Sequence, residues 1–197
     1  IAVVPRSAPG LALREYDTVD AGRALDLGFD GVRVPAAAIL WGPSTEVAAA
    51  RTQAWNSVLL ASAAECVGMI AALQARTAEY LGARKQFGQP LARQQVLRHR
   101  MADVALAGLR ARALTAHLEQ VFAAIAPTER TRMASAAIVK ALEGVRYAAE
   151  QAVQLHGGMG VSAELPIGRY LRRVLALEAT LGSADYHRAR YLAALDA

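Results

Sequence analysis

The first 43 residues have short alternating patterns of apolar and polar positions. In residues 25–30, Leu and Phe alternate with Asp and Gly, and residues 32–34 alternate again until Pro35. A period of two is typical of half-buried strands, and proline cannot continue a strand ladder. The Ser-Ala-Pro-Gly sequence of residues 7–10 predicts a turn. We therefore predict that residues 1–43 form strands and turns.

From residue 44 the pattern becomes helical, with apolar positions three and four residues apart. Pro127 closes the second predicted helix, Thr128 is expected to cap the third, and Gly182 breaks the last. Helices this long and apolar on more than one side pack in bundles and predict a subunit interface. We therefore predict a mainly α chain whose second domain, residues 44–197, is a helical bundle. The predicted helices are Thr45–Leu81, Leu91–Ala124, Thr128–Leu155 and Ile167–Leu195.

Composition excludes several classes of protein. The single cysteine, Cys66, excludes an internal disulfide and a cysteine metal site, and it fits a reducing cytoplasm. No two of the four histidines have metal-ligand spacing, so we expect no metal. The most apolar run, residues 58–63, is too short to span a membrane. The chain opens on a strand-like segment, so no signal peptide is expected. We accordingly expect a cytoplasmic protein that is not inserted in a membrane.

The basic residues are almost all arginine. The formal net charge is +5, and lysine occurs only at Lys85 and Lys140 among 22 basic residues. Arginine holds phosphates and carboxylates with a rigid fork of donors. An excess this modest fits a solvated surface, and it also suits an anionic cofactor, a CoA tail or nucleic acid.

The segment Arg84–Leu91 lies between the first two predicted helices. Gly88 and Pro90 force a loop that offers two cations, an amide and the flat ring of Phe87. The alternative is a plain helix connection with Phe87 folded onto the core.

The segment Gln154–Gly160 has three glycines in four residues after the third helix. Such a backbone can approach a ligand closely and point its N–H groups at a pyrophosphate. It does not fit a Rossmann fingerprint, because these glycines follow a helix and not a strand. The alternative is a helix C-cap followed by a tight turn.

Taken together, these segments resemble the acyl-CoA dehydrogenase family. Arg84–Gly88 resembles its R-x-x-F-G signature, Gln154–Gly160 its Q-x-x-G-G-x-G signature, and Phe29–Pro35 the end of its central β-domain. The resemblance implies that the chain holds the last strands of a β-barrel-like middle domain and a complete C-terminal four-helix bundle. It also implies that FAD lies at a dimer interface, where both signatures reach the flavin of the neighbouring subunit.

The resemblance assigns cofactor contacts residue by residue. The arginine would pair with the FAD pyrophosphate, the glutamine beside it would donate a hydrogen bond, and the phenylalanine would pack against the cofactor. The second signature would approach the pyrophosphate and ribityl region. A further glutamine, Gln95, falls at the adenine end, although a solvated first helical turn explains it equally well. The implied FAD contacts are Arg84, Gln86, Phe87, Gln95, Gln154, Gly157 and Gly158.

The sequence departs from the family at the catalytic base. The family's reaction needs a carboxylate against the substrate α-carbon. Counting from Gln154, the family's glutamate falls on Leu181, which cannot accept a proton. The other base position known in the family falls near Val58, with no acid beside it. Glu178 is a weak substitute, as are His156 and His187, so no catalytic residue is assigned.

A chain that keeps the flavin-contacting signatures but lacks the catalytic base resembles the partner subunits of heteromeric acyl-CoA dehydrogenases in bacteria that degrade steroid side chains. The resemblance therefore implies an acyl-CoA substrate, a homologous subunit in an α₂β₂ heterotetramer and electron-transfer flavoprotein as acceptor. A homotetrameric dehydrogenase with an unusual base is an alternative. A flavin-bearing DNA-associated protein and a nitroalkane oxidase use the same fold, but the modest charge favours no nucleic-acid partner. The acyl chain is not identified by the sequence.

Overall fold

The computed structural model describes residues 1–42, 44–162 and 165–195. These residues form two compact units, Ile1–Ala54 and Trp55–Ala197. Short 3₁₀ turns cover Ala36–Ala38, Leu91–Arg93 and Gly157–Val161. The longer elements, in chain order, are β1 (Leu11–Asp17), β2 (Arg23–Phe29), α1 (Thr45–Ala83), β3 (Lys85–Gln86), β4 (Gln89–Pro90), α2 (Gln95–Val121), α3 (Pro127–His156), α4 (Ile167–Leu181) and α5 (Ala184–Ala193). The predicted domain boundary after residue 43 stays a prediction.

The first unit contains one antiparallel hairpin. Strands β1 and β2 pair from Leu11 opposite Phe29 to Asp17 opposite Arg23. The strand predicted at residues 25–30 is present as β2, but its side chains Leu25, Leu27 and Phe29 are exposed, so the predicted half-burial is wrong. Two strands alone cannot cover their own face. Residues 32–34 are not a strand, which corrects a second prediction, because no described strand pairs with them.

The second unit is a helical bundle, which confirms the predicted succession of helices. Helix α1 lies against both α2 and α3 through Ile70. A methyl group added at Gly108 of α2 would lie 2.9 Å from the Ile70 side chain, and one at Gly144 of α3 would lie 3.2 Å from it. Close approach of this kind brings α1, α2 and α3 into one core, which Val174 and Leu177 of α4 complete.

Helix α3 is the centre of the bundle, in contact with α2, α4 and α5. Its inward positions are filled mainly by small side chains. Small residues let neighbouring backbones come close, and larger residues such as Ile138 and Leu142 fill the space between them. The small buried residues of α3 are Ala134, Ser135, Ala137, Ala141, Gly144, Ala148, Ala149 and Ala152.

Helix α1 is long and apolar enough, by length and composition, to cross a membrane. The expectation that no stretch reaches this length is therefore wrong. It considered only uninterrupted apolar runs, whereas the many alanines of α1 keep a longer window apolar despite scattered polar residues. The core helix of a globular bundle passes the same test. Nine residues of α1, spaced from Asn56 to Leu81, are buried, and buried residues make up 33% of the apolar window.

The start of α3 differs from the prediction. Thr128 is not the N-cap: the helix begins at Pro127, with Ala126 in the capping position and no side-chain cap. Proline fits the first helical position because its missing N–H needs no partner there. The preceding turn is secured instead by Arg130, whose Nε donates to the Phe122 carbonyl at 2.6 Å.

A polar cluster joins three helices inside the bundle. The Arg190 guanidinium of α5 donates to Asn56 Oδ1 of α1 at 2.6 Å and to Ser135 Oγ of α3 at 2.9 Å. Asn56 Nδ2 donates in turn to Thr131 Oγ1 at 3.1 Å. Burial lowers the pKa of Arg190, and no described carboxylate pairs with it. Each acceptor relies on the guanidinium, because Asn56 and Ser135 are buried from water.

We expect Arg190→Leu to lower the free energy of unfolding by about 2–3 kcal/mol, because buried acceptors on two other helices lose their hydrogen-bond donor. The matched control is Arg188→Leu on the same helix, whose side chain is 52% exposed and pairs with Glu143 and Asp185. Exposed pairs contribute little, so this control should cost less than about 1 kcal/mol. Urea denaturation of both variants measures the difference. Equal losses would contradict the role given to the cluster.

Candidate functional site

The first signature forms an exposed two-stranded hairpin between α1 and α2. Lys85 pairs with Pro90 and Gln86 with Gln89. Phe87 and Gly88 have φ values of 53° and 78°, the left-handed geometry of a type I′ turn. Phe87 is 88% exposed, so the alternative that folds its ring onto the core is wrong. A bulky residue in this conformation is uncommon, and here it holds an aromatic ring out in solvent.

The backbone of Arg84 is fixed at the base of this hairpin. Its N–H donates to the Tyr80 carbonyl at 2.8 Å, and its carbonyl accepts the Leu91 N–H at 2.9 Å. The side chain is exposed, and no described carboxylate pairs with it. Gln86 is also exposed. Gln95 is exposed as the first residue of α2, so both explanations of Gln95 stay open.

The second signature forms the end of α3 and a 3₁₀ turn. Gly157 has φ +60°, which strains any residue with a side chain, and its N–H donates to the Gln154 carbonyl. It therefore caps the helix. A methyl group at Gly157 or Gly158 would meet nothing within 4 Å, so the backbone also faces open space. Gln154 is exposed beside it. The turn therefore contains the helix C-cap of one interpretation and the open backbone of the other.

Gly160 differs from the two exposed glycines. It is buried, and an added methyl group would lie 2.9 Å from Val153 Cα and closer still to the Val153 carbonyl oxygen. Both neighbours are backbone atoms of α3, which cannot move aside as a side chain can. Gly160 is therefore required by packing of the turn against α3, whereas Gly157 and Gly158 leave the surface open.

The end of α1, just before the first signature, contacts the second signature through Tyr80 and His156. Their rings stack with centroids 4.3 Å apart, and Tyr80 Oη donates to the His156 carbonyl at 3.3 Å. Ala83, just before the hairpin, and His156, just before the glycine turn, line the same cavity of about 280 Å³. Sequence reasoning missed Tyr80. The available signal was its position one helical turn before Arg84.

The family's base position belongs to the core in this chain. Leu181 is the last residue of α4, is 5% exposed and packs in the main apolar cluster. Gly182 follows with φ 99° and donates its N–H to the Glu178 carbonyl at 3.0 Å. Ser183 then caps α5 by accepting the Tyr186 N–H at 3.3 Å. The backbone of this segment makes a tight turn between two helices, with no carboxylate at Leu181.

The acids nearest the possible base positions are ion-paired. Glu178 accepts from Arg146 at 2.8 Å, which joins α4 to α3. Glu65 of α1 accepts two bonds from Arg173 of α4, at 2.7 and 3.0 Å. Val58, the second base position of the family, is 43% exposed. Both carboxylates are therefore engaged in ion pairs between helices.

The histidine candidates are both buried. Neither ring nitrogen of His187 makes a hydrogen bond of ordinary geometry among the described residues, and burial lowers the pKa of this side chain. The His156 ring nitrogen Nδ1 lies 2.8 Å from the Ala152 carbonyl.

Burial also raises the pKa of the Cys66 thiol to about 12, which leaves it protonated. No three His, Cys, Asp or Glu side chains in the described part of the chain are placed to hold a metal.

Comparison with known proteins gives one consistent family. A profile described as "Acyl-CoA dehydrogenase, C-terminal domain" matches residues 49–195. The chain is 30% identical over 196 residues to the probable acyl-CoA dehydrogenase YngJ of Bacillus subtilis, covering 94% of this chain and 49% of that protein. It is 37% identical over 111 residues to acyl-CoA dehydrogenase IpdE2 of Mycobacterium tuberculosis, covering 56% of this chain and 33% of that protein.

Solved structures give the same result. A chain in the crystal structure of the ChsE4–ChsE5 complex from Mycobacterium tuberculosis superposes with a TM-score of 0.86 and 26% identity. The superposition covers 99% of this chain and 51% of that chain. The chain thus spans about half the length of the curated relatives it matches. The fold class predicted from the sequence, a mainly α bundle of acyl-CoA dehydrogenase type preceded by strands, is confirmed.

Proposed function

Because the chain belongs to the acyl-CoA dehydrogenase family, we propose that it completes the FAD site of a homologous subunit without supplying the catalytic base. The observation that carries the proposal is a combination within one bundle. The residues that precede the exposed Arg84 hairpin and the open glycine turn, Tyr80 and His156, contact each other, while a buried leucine lies at the family's base position. The first feature favours a cofactor role, and the second argues against proton abstraction by this chain.

The residues present fit FAD. Arg84 offers a guanidinium with no competing described carboxylate, as a pyrophosphate requires. The open backbone at Gly157 and Gly158 has room for a ligand where any other residue would place a side chain. Phe87 presents a flat apolar ring to whatever covers the hairpin. Gln86 and Gln154 are exposed beside these groups and supply amide donors.

FAD, when bound, accepts the hydride that leaves the substrate in this family's reaction. The residues of this chain bind and orient the cofactor and exclude water from it. We propose an acyl-CoA thioester as substrate and electron-transfer flavoprotein as electron acceptor.

The partner is proposed to be a homologous subunit that bears a carboxylate base. Leu181 cannot take a proton, and Glu178 and Glu65 are held by arginines. A homotetramer of this chain would then contain flavin sites without a base, which favours an α₂β₂ heterotetramer. The similarity to a chain of the ChsE4–ChsE5 complex supports such an assembly. The alternative is a homomeric enzyme with an unusual base, for which Glu178 is the leading candidate.

We expect Arg84→Ala to weaken flavin binding by the assembled full-length protein about 10- to 100-fold, because a charge-assisted contact contributes about 1.5–3 kcal/mol. The matched control is Arg110→Ala, which removes an exposed arginine from α2 away from the hairpin. Flavin titration by fluorescence measures both variants, and circular dichroism checks that the helices persist. Wild-type flavin affinity in Arg84→Ala would overturn the proposal.

A further inference from the structure

Tyr80 contacts both signatures of the candidate site. Its backbone carbonyl, in the last turns of α1, accepts the N–H of Arg84 at 2.8 Å. Its hydroxyl donates to the carbonyl of His156 at 3.3 Å, and its ring stacks on the His156 imidazole with 25° between the planes. The bond to Arg84 is the main-chain helical bond that any residue would make there, whereas the bond and the stacking with His156 depend on the tyrosine side chain.

The peptide bond between His156 and Gly157 is held at both of its polar groups. The His156 carbonyl accepts from Tyr80, and the Gly157 N–H donates to the Gln154 carbonyl. Because a peptide group is planar, fixing its carbonyl and its N–H fixes its orientation. Gly157 follows with φ +60°, so this orientation sets the direction in which the turn leaves α3.

The His156 ring is fixed in the same way. Its Nδ1 lies 2.8 Å from the Ala152 carbonyl within α3, while its face is covered by the Tyr80 ring. The Tyr80 ring is half-buried. The stack joins the ends of α1 and α3 through two residues that are 76 positions apart in the sequence. The α1 residues of the main apolar cluster, from Leu59 to Leu73, come before Tyr80 along the helix.

We propose that Tyr80 is a positioning residue that holds the Arg84 hairpin and the Gly157–Gly158 turn at a fixed separation. This inference rests on the proposed function and deepens it, because a pyrophosphate bound by both segments needs them pre-arranged. Binding is stronger when the groups that contact a ligand are ordered beforehand. The hydroxyl fixes the peptide before Gly157, and the ring fixes the distance between the two helix ends.

The test uses Tyr80→Phe, which keeps the ring and removes the hydroxyl, in the full-length assembled protein. Tyr147→Phe is the matched control, since Tyr147 is a half-buried tyrosine of α3 whose hydroxyl has no partner among the described residues. We expect Tyr80→Phe to weaken flavin binding about 3- to 10-fold, as loss of one hydrogen bond predicts. The control should bind flavin like the wild type.

Amide hydrogen exchange on the flavin-free protein gives a readout that does not depend on the cofactor. Exchange at Gly157–Met159 should be faster in Tyr80→Phe, while thermal stability stays near that of the wild type. Unchanged exchange together with wild-type flavin affinity would overturn the inference. If Arg84→Ala retains flavin, the cofactor role fails instead. The exchange at Gly157–Met159 then still decides whether Tyr80 positions the turn.

Discussion

The full-length protein, loaded with FAD but without a partner subunit, is expected to leave its flavin oxidised when mixed with acyl-CoA. The substrate's α-proton needs a base, and the family position for that base holds Leu181, buried in the core. Removing a general base typically slows such a step by about 10²–10⁴-fold. Anaerobic absorbance at the flavin band, with a panel of acyl-CoA thioesters, measures the result. Addition of the homologous subunit should bleach the flavin.

A second arm of this experiment examines Glu178. In the active complex, Glu178→Gln is expected to change the rate less than about two-fold, because this carboxylate pairs with Arg146 of α3 and the partner subunit is proposed to supply the base. Glu65→Gln is the matched control, since Arg173 holds that carboxylate in the same way. Bleaching by the protein without a partner would refute the heteromeric proposal. A loss of that activity in Glu178→Gln would identify Glu178 as the base of a homomeric enzyme.

Gly160→Ala is expected to destabilise the protein by about 3 kcal/mol or more, because its methyl group would overlap the Val153 backbone. The turn can accept the methyl group only by moving away from α3, which would also displace Gly157 and Gly158. We therefore expect flavin binding and thermal stability to fall together. Differential scanning fluorimetry and flavin titration measure the two effects.

Gly158→Ala is the matched control for this prediction. It adds the same methyl group two residues earlier, where nothing lies within 4 Å and φ is not in the left-handed region. Its stability should stay within about 0.5 kcal/mol of the wild type. Its flavin affinity should fall, since the methyl group occupies the space proposed for the cofactor. An equal loss of stability in both variants would contradict the packing role of Gly160.

Much of the helical fold is predictable because its signals are local. Apolar spacing marks α1 to α3, and Gly182 separates α4 from α5 as expected. The wrong predictions for the first unit concern burial and strand pairing, which depend on residues distant in the sequence. Whether β2 is half-buried depends on what covers it, and Val32–Val34 needs a partner strand that alternation alone cannot supply. Thr128 resembles a cap in sequence, but the proline before it already fits the first helical position.

The candidate site was predictable only in part. Two signatures could be located because glycine, proline and arginine have few interchangeable substitutes in such loops. The contact between Tyr80 and His156 could not be inferred, because it joins residues that are 76 positions apart in the sequence. The ion pairs of Glu178 and Glu65 likewise depend on the packing of α4 against its neighbours. Tyrosine is common in helices, so only the structure distinguishes Tyr80 from an ordinary packing residue.

The small side chains along α3 restrict how this chain can diverge during evolution. A buried alanine such as Ala137 or Ala141 has only glycine as a smaller replacement, which disfavours the helix, while larger residues overpack the core. Accepted substitutions in orthologous chains should therefore gather on the outward positions of α3, such as Lys140 and Glu150. New partner specificity would then arise through substitutions on the surrounding helices and the hairpin, while the inward positions of α3 stay unchanged.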